Sequence, residues 1–265
     1  MLNIMRRLLI HNRAFLIASG GVLCAFQFVL CAIVASIDLP NVFNQFLAFA
    51  PPIVRTIIEQ SLLGGSAAGL LAFAWNHPIT HALVTAVAIT LGSRAVAGEI
   101  ESGAIELVLA QPVSRINYLM AHYVFAMSSI ALVASAGLLG TMAGQSVFEL
   151  HAFGWDRVLL LLANVFLLQM SFFSLTLLFS SFGREAGRVA ILSVLVVVAS
   201  LFDNAIATWW NKAAFMKPYS LHTYYDPSEI LVNGRFPSSW VLALGIFTVV
   251  TAAGAFVRFL TRDLP

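Results

Sequence analysis

The amino-acid sequence predicts an all-α integral membrane protein with six transmembrane helices. Hydrophobic residues make up 60% of the 265 positions and charged residues only 10%, whereas soluble domains average roughly 45–50% and about 25%. The 14 basic and 12 acidic residues are too few to coat a water-soluble surface or to form a basic patch for nucleic acid. We therefore expect a single transmembrane domain over residues 1–265, with an N-terminal amphipathic helix and a cytoplasmic helix between spans two and three.

Six apolar stretches are long enough to cross a membrane, which takes about 20 residues for about 30 Å of hydrocarbon. Two of these stretches contain charged residues: the second contains Arg94, and the fifth contains Asp203 as well as Arg188 near its start. The first stretch follows basic residues, as in a signal peptide, but it is too long to be a cleaved signal and is expected to remain as span one. The predicted spans are 14–37, 78–97, 117–143, 158–182, 186–208 and 237–257.

The distribution of basic residues predicts the orientation of the spans. Six spans place both termini on one side, and cytoplasmic segments are enriched in arginine and lysine. Nine basic residues lie on the terminal side: Arg6, Arg7, Arg13, Arg94, Arg115, Arg184, Arg188, Arg258 and Arg262. Five lie opposite: Arg55, Arg157, Lys212, Lys217 and Arg235. Both termini are therefore expected in the cytoplasm, with the chain in a bacterial inner membrane.

The tryptophans support the same orientation, because indole rings favour the membrane interface, where the N–H group stays hydrated. All five are predicted at outer ends of spans: Trp75, Trp155, Trp209, Trp210 and Trp240.

The segments 38–76 and 210–236 are the predicted outer loops. Within the first, residues 61–74 are apolar but too few to cross the membrane, so an interfacial or re-entrant helix is expected. Residues 1–13 combine apolar spacing with three arginines, which predicts an amphipathic helix on the inner leaflet.

The one long polar element on the inner side follows span two, from Gly98 to Arg115. At 100° per residue its polar and small residues share one face and its apolar residues the other, with Glu101 as the exception. The polar face comprises Glu99, Ser102, Gly103, Glu106 and Ala110. The pattern predicts an amphipathic helix over residues 99–110 that ends before Pro112, and Ser114 is the predicted N-cap of span three. The pattern fits an ordinary surface helix and a force-transmitting helix equally well.

The sequence of this segment, GEIESGAIELVLAQPVSR, resembles the signature of the type 2 ABC exporter permeases. In that family a glutamate, a glycine, a Glu-Leu-Leu-Leu-like stretch and Pro-Val-Ser-Arg follow the second span. The likeness covers 18 contiguous residues, with Ala104 and Ile105 where a Thr-Leu pair is common. The branch that it resembles most is the permease used in nitrous-oxide reductase maturation, although permeases of diverse substrates share the motif.

The resemblance implies the permease subunit of an ATP-driven exporter, which forms the translocation path and has no enzyme activity of its own. It implies that two permease copies form a dimer and that this dimer binds two copies of an ABC ATPase subunit. The ATPase would bind ATP and Mg²⁺, and no cofactor is expected on this chain. A periplasmic accessory protein is a further candidate partner. By position, the ATPase-coupling residues would be Glu99, Gly103, Glu106, Pro112 and Arg115. The resemblance does not identify the transported substrate.

The sequence lacks a motif for ATP hydrolysis. That chemistry needs a glycine-rich loop ending in Gly-Lys-Ser/Thr, and the only two lysines, Lys212 and Lys217, follow Asn211 and Met216.

The alternatives to an ATP-driven exporter are a secondary transporter and a membrane assembly scaffold. A secondary transporter would be expected to place ionisable residues near the middle of the membrane, where this chain has almost none.

Two further features have a functional and a structural interpretation. His77 and His81 are four residues apart at the start of span two, so they would share a helix face and could hold a metal. Packing and hydrogen bonding at the interface is the alternative, and His151 and His222 are expected on the same side. Asp203 is a candidate for the transport path or a dimer interface, since a charged residue within a span is costly unless it faces protein or water. A hydrated carboxylate near the outer interface is the alternative.

Overall fold

The structure, a computed structural model, describes residues 2–36, 48–49, 51, 66–105 and 114–263. All regular secondary structure in those ranges is helical, and six helices are long and apolar enough to cross a membrane. This confirms the predicted fold class and a multi-pass membrane protein. The spans, in order, are Leu2–Ser36, Pro78–Glu101, Arg115–Val147, Trp155–Phe182, Ala186–Trp209 and Ser238–Thr261.

Span one is longer at its start than the sequence pattern predicted. Residues 2–13 are its first turns and not a separate helix on the membrane surface, because no proline or glycine interrupts the helix before Gly20. The buried residues in this part of the helix are four positions apart and lie on one face of span one: Ile4, Leu8, Asn12 and Leu16. The helix is therefore about 50 Å long at 1.5 Å per residue and exceeds the hydrocarbon thickness of about 30 Å.

Span one packs closely against span three through glycines. A side chain at Gly140 would overlap the carbonyl oxygen of Cys24, and a Cβ at Gly144 would lie 2.5 Å from the Cβ of Cys31. Small residues of this kind let two helix backbones approach each other within a membrane. The two helices are thereby held at short distance from each other along their second halves.

The contacts between helix ends define two ends of the bundle. At the end that carries the described termini, here called the terminal end, Arg115 Nη1 donates to the carbonyl oxygen of Arg262 at 2.7 Å. Arg262 Nη1 in turn donates to the carbonyl oxygens of Ser181 at 2.9 Å and Gly183 at 2.8 Å. These carbonyls follow or end helices and lack intrahelical donors, so the guanidinium groups cap them. The opposite end is called the loop end.

The loop end is built from short helices between the spans. They are Ala67–Asn76, the 3₁₀ helices Asn211–Tyr219 and Leu221–Tyr224, and Pro227–Leu231. Helix Ala67–Asn76 contacts span one, span two and helix Pro227–Leu231, and it overlaps the apolar stretch that the sequence predicted to be interfacial or re-entrant.

Trp75, in the first of these short helices, is fully buried, so the expectation of a hydrated indole N–H group is wrong for this residue. Its Nε1 donates to Thr141 Oγ1 of span three at 3.1 Å, and its carbonyl oxygen accepts from the Tyr225 hydroxyl at 3.0 Å. The hydrogen bond within the protein replaces the water that the N–H group would otherwise need.

Spans two and four form the centre of the bundle, and spans five and six lie at its periphery. In the most apolar windows of spans two and four 67% of the residues are buried, against 22% in spans five and six. Span five exposes a continuous apolar surface of large side chains: Ile191, Leu192, Val194, Leu195, Val198 and Phe202. This surface is available to lipid or to another membrane helix.

Candidate functional site

The predicted coupling residues fall partly within the described chain. Glu99, Gly103 and Arg115 are described, and Glu106 and Pro112 lie outside the described residues. Glu99 lies in the last turn of span two, Gly103 in the turn after it, and Arg115 at the first position of span three. All three are at the terminal end of the bundle.

The terminal part of span two contains a π-helical turn over Arg94–Gly98. Such turns disturb the regular hydrogen bonding of a helix and occur frequently at functional sites. Here the side chain of Ser180 in span four compensates: its Oγ accepts from the N–H groups of Val96 at 3.2 Å and Ala97 at 2.9 Å and donates to the carbonyl oxygen of Ser93 at 3.0 Å. Ser180 is fully buried, so span four fixes the geometry of the turn.

Three further side-chain contacts connect this part of span two to other helices. The hydroxyl of Tyr118 in span three donates to the carbonyl oxygen of Ala95 at 2.8 Å. The N–H group of Ala186, at the start of span five, donates to Glu101 Oε2 at 2.8 Å. Arg7 Nη2 in span one donates to Glu99 Oε1 at 2.6 Å. The end of span two is therefore joined to spans one, three, four and five.

The helix that was predicted over residues 99–110 does not begin where expected. Residues 99–101 complete span two, and the chain turns at Ser102 and Gly103. Gly103 has a φ of 71°, and its N–H group donates to the carbonyl oxygen of Ile100 at 3.0 Å. A glycine in this left-handed conformation is a common way to end a helix. The periodicity of the sequence continued across the turn, so it gave no sign of the break.

The break also changes the surroundings of the two glutamates. Glu99 was expected on an outward polar face, but its side chain is only 17% exposed and faces span one. Glu101 did not fit the amphipathic pattern of the sequence, and in the structure its carboxylate caps the start of span five. Gly103 is exposed, and a Cβ added there would have no atom within 4 Å. Among the described residues of the predicted polar face, Ser102 and Gly103 are thus the ones open to a partner.

Arg115 contacts its own chain. Besides its bond to Arg262, its Nη1 lies 3.4 Å from the carbonyl oxygen of Leu260, at the end of span six. Ser114 is the N-cap of span three, as predicted, and accepts from the N–H group of Asn117 at 3.3 Å. Arg115 therefore ties the start of span three to the end of span six, which fits a positioning role.

A cavity of about 540 Å³ adjoins the end of span two. Spans one, two, three and five contribute to its walls. Its lining combines charged and polar side chains with apolar ones: Arg7, His11, Asn12, Arg94, Glu99, Glu101, Ser102 and His122, together with Leu8, Leu91 and Phe125. Of the three coupling residues that the structure describes, Glu99 lines the cavity and Gly103 and Arg115 do not.

The two histidines considered for a metal site have different surroundings. His77 caps the start of span two, where its Nδ1 accepts from the N–H group of Ile79 at 3.2 Å. His81 is buried, and its ring centroid lies 5.3 Å from that of His222 and 5.2 Å from that of Tyr225. Within residues 2–36, 66–105 and 114–263, no group of three His, Cys, Asp or Glu side chains could hold a metal ion.

His222 is a buried polar group at the loop end. Its Nδ1 lies 2.9 Å from Ser200 Oγ in span five, and Ser220 Oγ is 3.0 Å from the same oxygen. Burial lowers the pKa of His222 from 6.5 to about 3, with His81 as the second cause. The imidazole is therefore neutral at physiological pH.

Asp203 lies on span five, and a mostly apolar groove lies beside the same span. The groove has a volume of about 440 Å³ and runs between spans two and five, with Thr85, Ala86, Val194 and Val198 among its lining residues. Asp203 is half-buried on span five and is not among the residues that line the groove. One of its carboxylate oxygens is buried and has no hydrogen-bond partner in the described part of the chain.

Sequence patterns did not identify Arg7, Ser180 or the capping contact of Glu101. The only available signal for Arg7 was its charge, since it was predicted on the same side of the membrane as Glu99. Ser180 is one of many small polar residues in span four, and nothing in the sequence distinguishes it from its neighbours. Contacts between residues more than 80 positions apart do not follow from local periodicity.

Comparison with protein families identifies the family of the chain. The family model described as "ABC-2 family transporter protein" matches residues 12–264, which is nearly the whole chain. No curated protein sequence matches the chain significantly.

Proposed function

The chain belongs to the ABC-2 family of transporter proteins, and we propose that it is the membrane-spanning permease subunit of an ATP-driven exporter. Membership of this family implies a permease component, a partner ATPase subunit and often a dimeric assembly. Since the sequence has no Gly-Lys-Ser/Thr loop, ATP and Mg²⁺ belong on the partner. We propose an assembly of two permease copies and two ATPase copies.

The observation that supports this proposal best is the set of contacts at the end of span two. Ser180, Tyr118, Arg7 and Glu101 take part in bonds between this end and four other spans. Packed helices that are joined in this way move as rigid bodies rather than deforming continuously. Force applied to the chain after Gly103 would therefore move several spans together.

The proposal assigns different roles to the predicted coupling residues. Gly103 and Glu106 belong to the surface that the ATPase contacts, and Pro112 ends that segment. Glu99 and Arg115 are positioning residues, because they bond to Arg7 and to the end of span six. In this arrangement the ATPase acts on the chain between Gly103 and Ser114, and the helices on either side of it are anchored within the bundle.

We propose that the transport path lies at the groove between spans two and five, facing a second copy of the chain. The groove is mostly apolar, and its volume of about 440 Å³ is in the range of small-molecule binding sites. The large apolar side chains exposed on span five adjoin it. Asp203, which the sequence suggested for the path, fits better at an interface near the loop end.

The cargo and its direction are also part of the proposal. The likeness of Gly98–Arg115 to the branch used in nitrous-oxide reductase maturation favours export towards the periplasm and a periplasmic accessory protein as a further partner. An apolar groove suits cargo with a hydrophobic part. Recovery of a periplasmic protein with the purified assembly would support this branch, whereas recovery of the ATPase alone would leave only the broader family function.

Purification of the full chain from its native membrane tests the proposed function. We expect an ATPase subunit to copurify, and we expect ATP hydrolysis by the complex but not by the separated chain. A secondary transporter or a scaffold would be recovered without an ATPase. Transport that persists after removal of every ATPase would contradict an ATP-driven mechanism.

The orientation can be tested by labelling single cysteines in a variant with Cys24→Ala and Cys31→Ala. Ser102→Cys and Lys217→Cys suit this experiment because both positions are exposed, whereas His222 is buried and would label poorly. An impermeant reagent added outside the cell should label position 217 and not position 102. The reverse pattern would contradict cytoplasmic termini.

A further inference from the structure

The terminal-end cavity has the chemistry of a phosphate site, and we propose that it binds the phosphate headgroup of an anionic membrane lipid. Arg94, Arg7 and His11 supply its basic side chains. This inference concerns a ligand other than the transported cargo and does not depend on the ATPase. It follows from the charges, the shape and the position of the cavity.

One oxygen of each cavity carboxylate is bonded within the protein, and the second oxygen of Glu99, Oε2, is buried and has no partner among the described residues. Glu99 accepts from Arg7, and Glu101 accepts from the N–H group of Ala186 at the positive end of span five. Arg94 is exposed and has no carboxylate within 4.0 Å in the described part of the chain. Its positive charge is therefore available to a ligand.

A buried histidine also lines the cavity, and one of its ring nitrogens has no partner in the described part of the chain. His122 is 6% exposed, and its Nε2 has no hydrogen-bond partner among the described residues. Leaving a buried polar atom unpaired is costly, so such an atom calls for an explanation. A small rotation of the His122 ring towards the cavity would bring this nitrogen within reach of a polar ligand group.

The apolar wall and the position of the cavity favour a lipid over a free anion. Leu8, Leu91 and Phe125 form the apolar part of the lining, which suits the glycerol and upper acyl region of a lipid next to the phosphate. Guanidinium groups match phosphate oxygens in geometry and charge, and basic pockets between spans are known to hold lipid headgroups. The cavity also lies at the terminal end of the bundle, beside the last turn of span two.

The test uses purified full-length protein that has been delipidated and exchanged into equal amounts of phosphatidylglycerol and phosphatidylcholine. We expect the wild-type protein to retain phosphatidylglycerol preferentially, as measured by native mass spectrometry. Arg94→Gln should lower this preference about fivefold, since one basic side chain contributes about 1 kcal/mol to anionic lipid binding. His11→Glu should lower it as well, because it adds a negative charge to the lining at an exposed position.

Arg13→Gln is the matched control, since Arg13 is exposed at the same end but does not line the cavity. This variant should keep the wild-type preference. An equal loss with Arg13→Gln and Arg94→Gln would overturn the proposal in favour of general surface attraction, and the absence of any preference in the wild type would overturn it outright.

Inorganic phosphate distinguishes the source of the anion. Phosphate in lipid-free detergent should not raise the melting temperature of the wild-type protein relative to Arg94→Gln, whereas phosphatidylglycerol should. If phosphate alone stabilises the wild type as much as the lipid does, the site recognises a free anion and the lipid assignment is wrong.

Discussion

Arg7 and Glu99 are 92 positions apart in the chain, and Arg7 Nη2 lies 2.6 Å from Glu99 Oε1. Their side chains are 43% and 17% exposed, so solvent screens the pair only in part. The contact joins the start of span one to the end of span two, next to the exposed turn at Gly103. An ion pair in this position links the N-terminal helix to the segment on which an ATPase would act.

We predict that reversing the charge of Arg7 weakens this link and that a second reversal repairs it. Arg7→Glu should lower stability by about 1 kcal/mol or more, because partly exposed pairs contribute about that much and two carboxylates would then repel each other. Arg7→Glu combined with Glu99→Arg should recover part of the loss. Thermal unfolding in detergent measures the cycle, and Arg13→Glu is the control. A double variant no more stable than the worse single variant would contradict a direct interaction.

Ser180 should be important for stability despite its small size. Ser180→Ala leaves the N–H groups of Val96 and Ala97 without their side-chain acceptor, and an unpaired buried polar group costs about 1–3 kcal/mol. Thermal unfolding should show this loss. Ser128→Ala is the control, since the Ser128 hydroxyl bonds only to the carbonyl oxygen of Val124 within its own helix and is exposed. If both variants unfold at the same temperature, the π-helical turn does not depend on Ser180.

Substitutions of Gly103 test the docking surface, because they separate the effect of backbone strain from the effect of a large side chain. Gly103→Ala and Gly103→Trp both place a side chain on a residue with a φ of 71°, which costs about 1–2 kcal/mol. Only tryptophan adds a large group at this open position. We predict that Gly103→Ala retains the ATPase in pull-down experiments and that Gly103→Trp loses it. Equal retention by both variants would indicate that no partner approaches Gly103.

The stability of the protein should fall in mild acid because of His222. Its pKa is lowered from 6.5 to about 3 in the folded protein, so the unfolded chain takes up a proton in this range while the folded chain does not. Stability is therefore present above pH 6.5 and falls towards pH 3, by up to about 1.4 kcal/mol per pH unit. His222→Gln should flatten the dependence of melting temperature on pH, and exposed His151→Gln should not. An unchanged slope in His222→Gln would assign the acid sensitivity to other groups.

The sequence was sufficient to predict the six spans, because long apolar runs have few other interpretations. It was insufficient where a helix continues or stops for reasons outside its periodicity. Residues 2–13 have the pattern of a surface helix, yet they extend span one since nothing there breaks the helix. Gly103 interrupts a pattern that continues on both sides, and a glycine alone does not show whether its φ is positive.

Long-range contacts explain the remaining differences. The burial of Trp75 depends on Thr141 and Tyr225, which are far away in the chain. His81 was paired in the sequence with His77, its neighbour one helical turn away, but its ring contacts are His222 and Tyr225. Spacing along one helix can place two side chains on a face, but it does not show which other helix covers that face.

The close contact between Gly140 and Cys24 has a mechanical consequence. The two backbones have no space to move closer together there, and the part of span one before Cys24 extends beyond this contact. Arg7 precedes Cys24 by 17 residues, so the arm from this contact to the ion pair is about 25 Å long. A tilt of about 5° would move Arg7 by about 2 Å, roughly the displacement that separates a formed ion pair from a broken one. A small tilt of span one about its contact with span three would thus be enough to open or close its ion pair with span two.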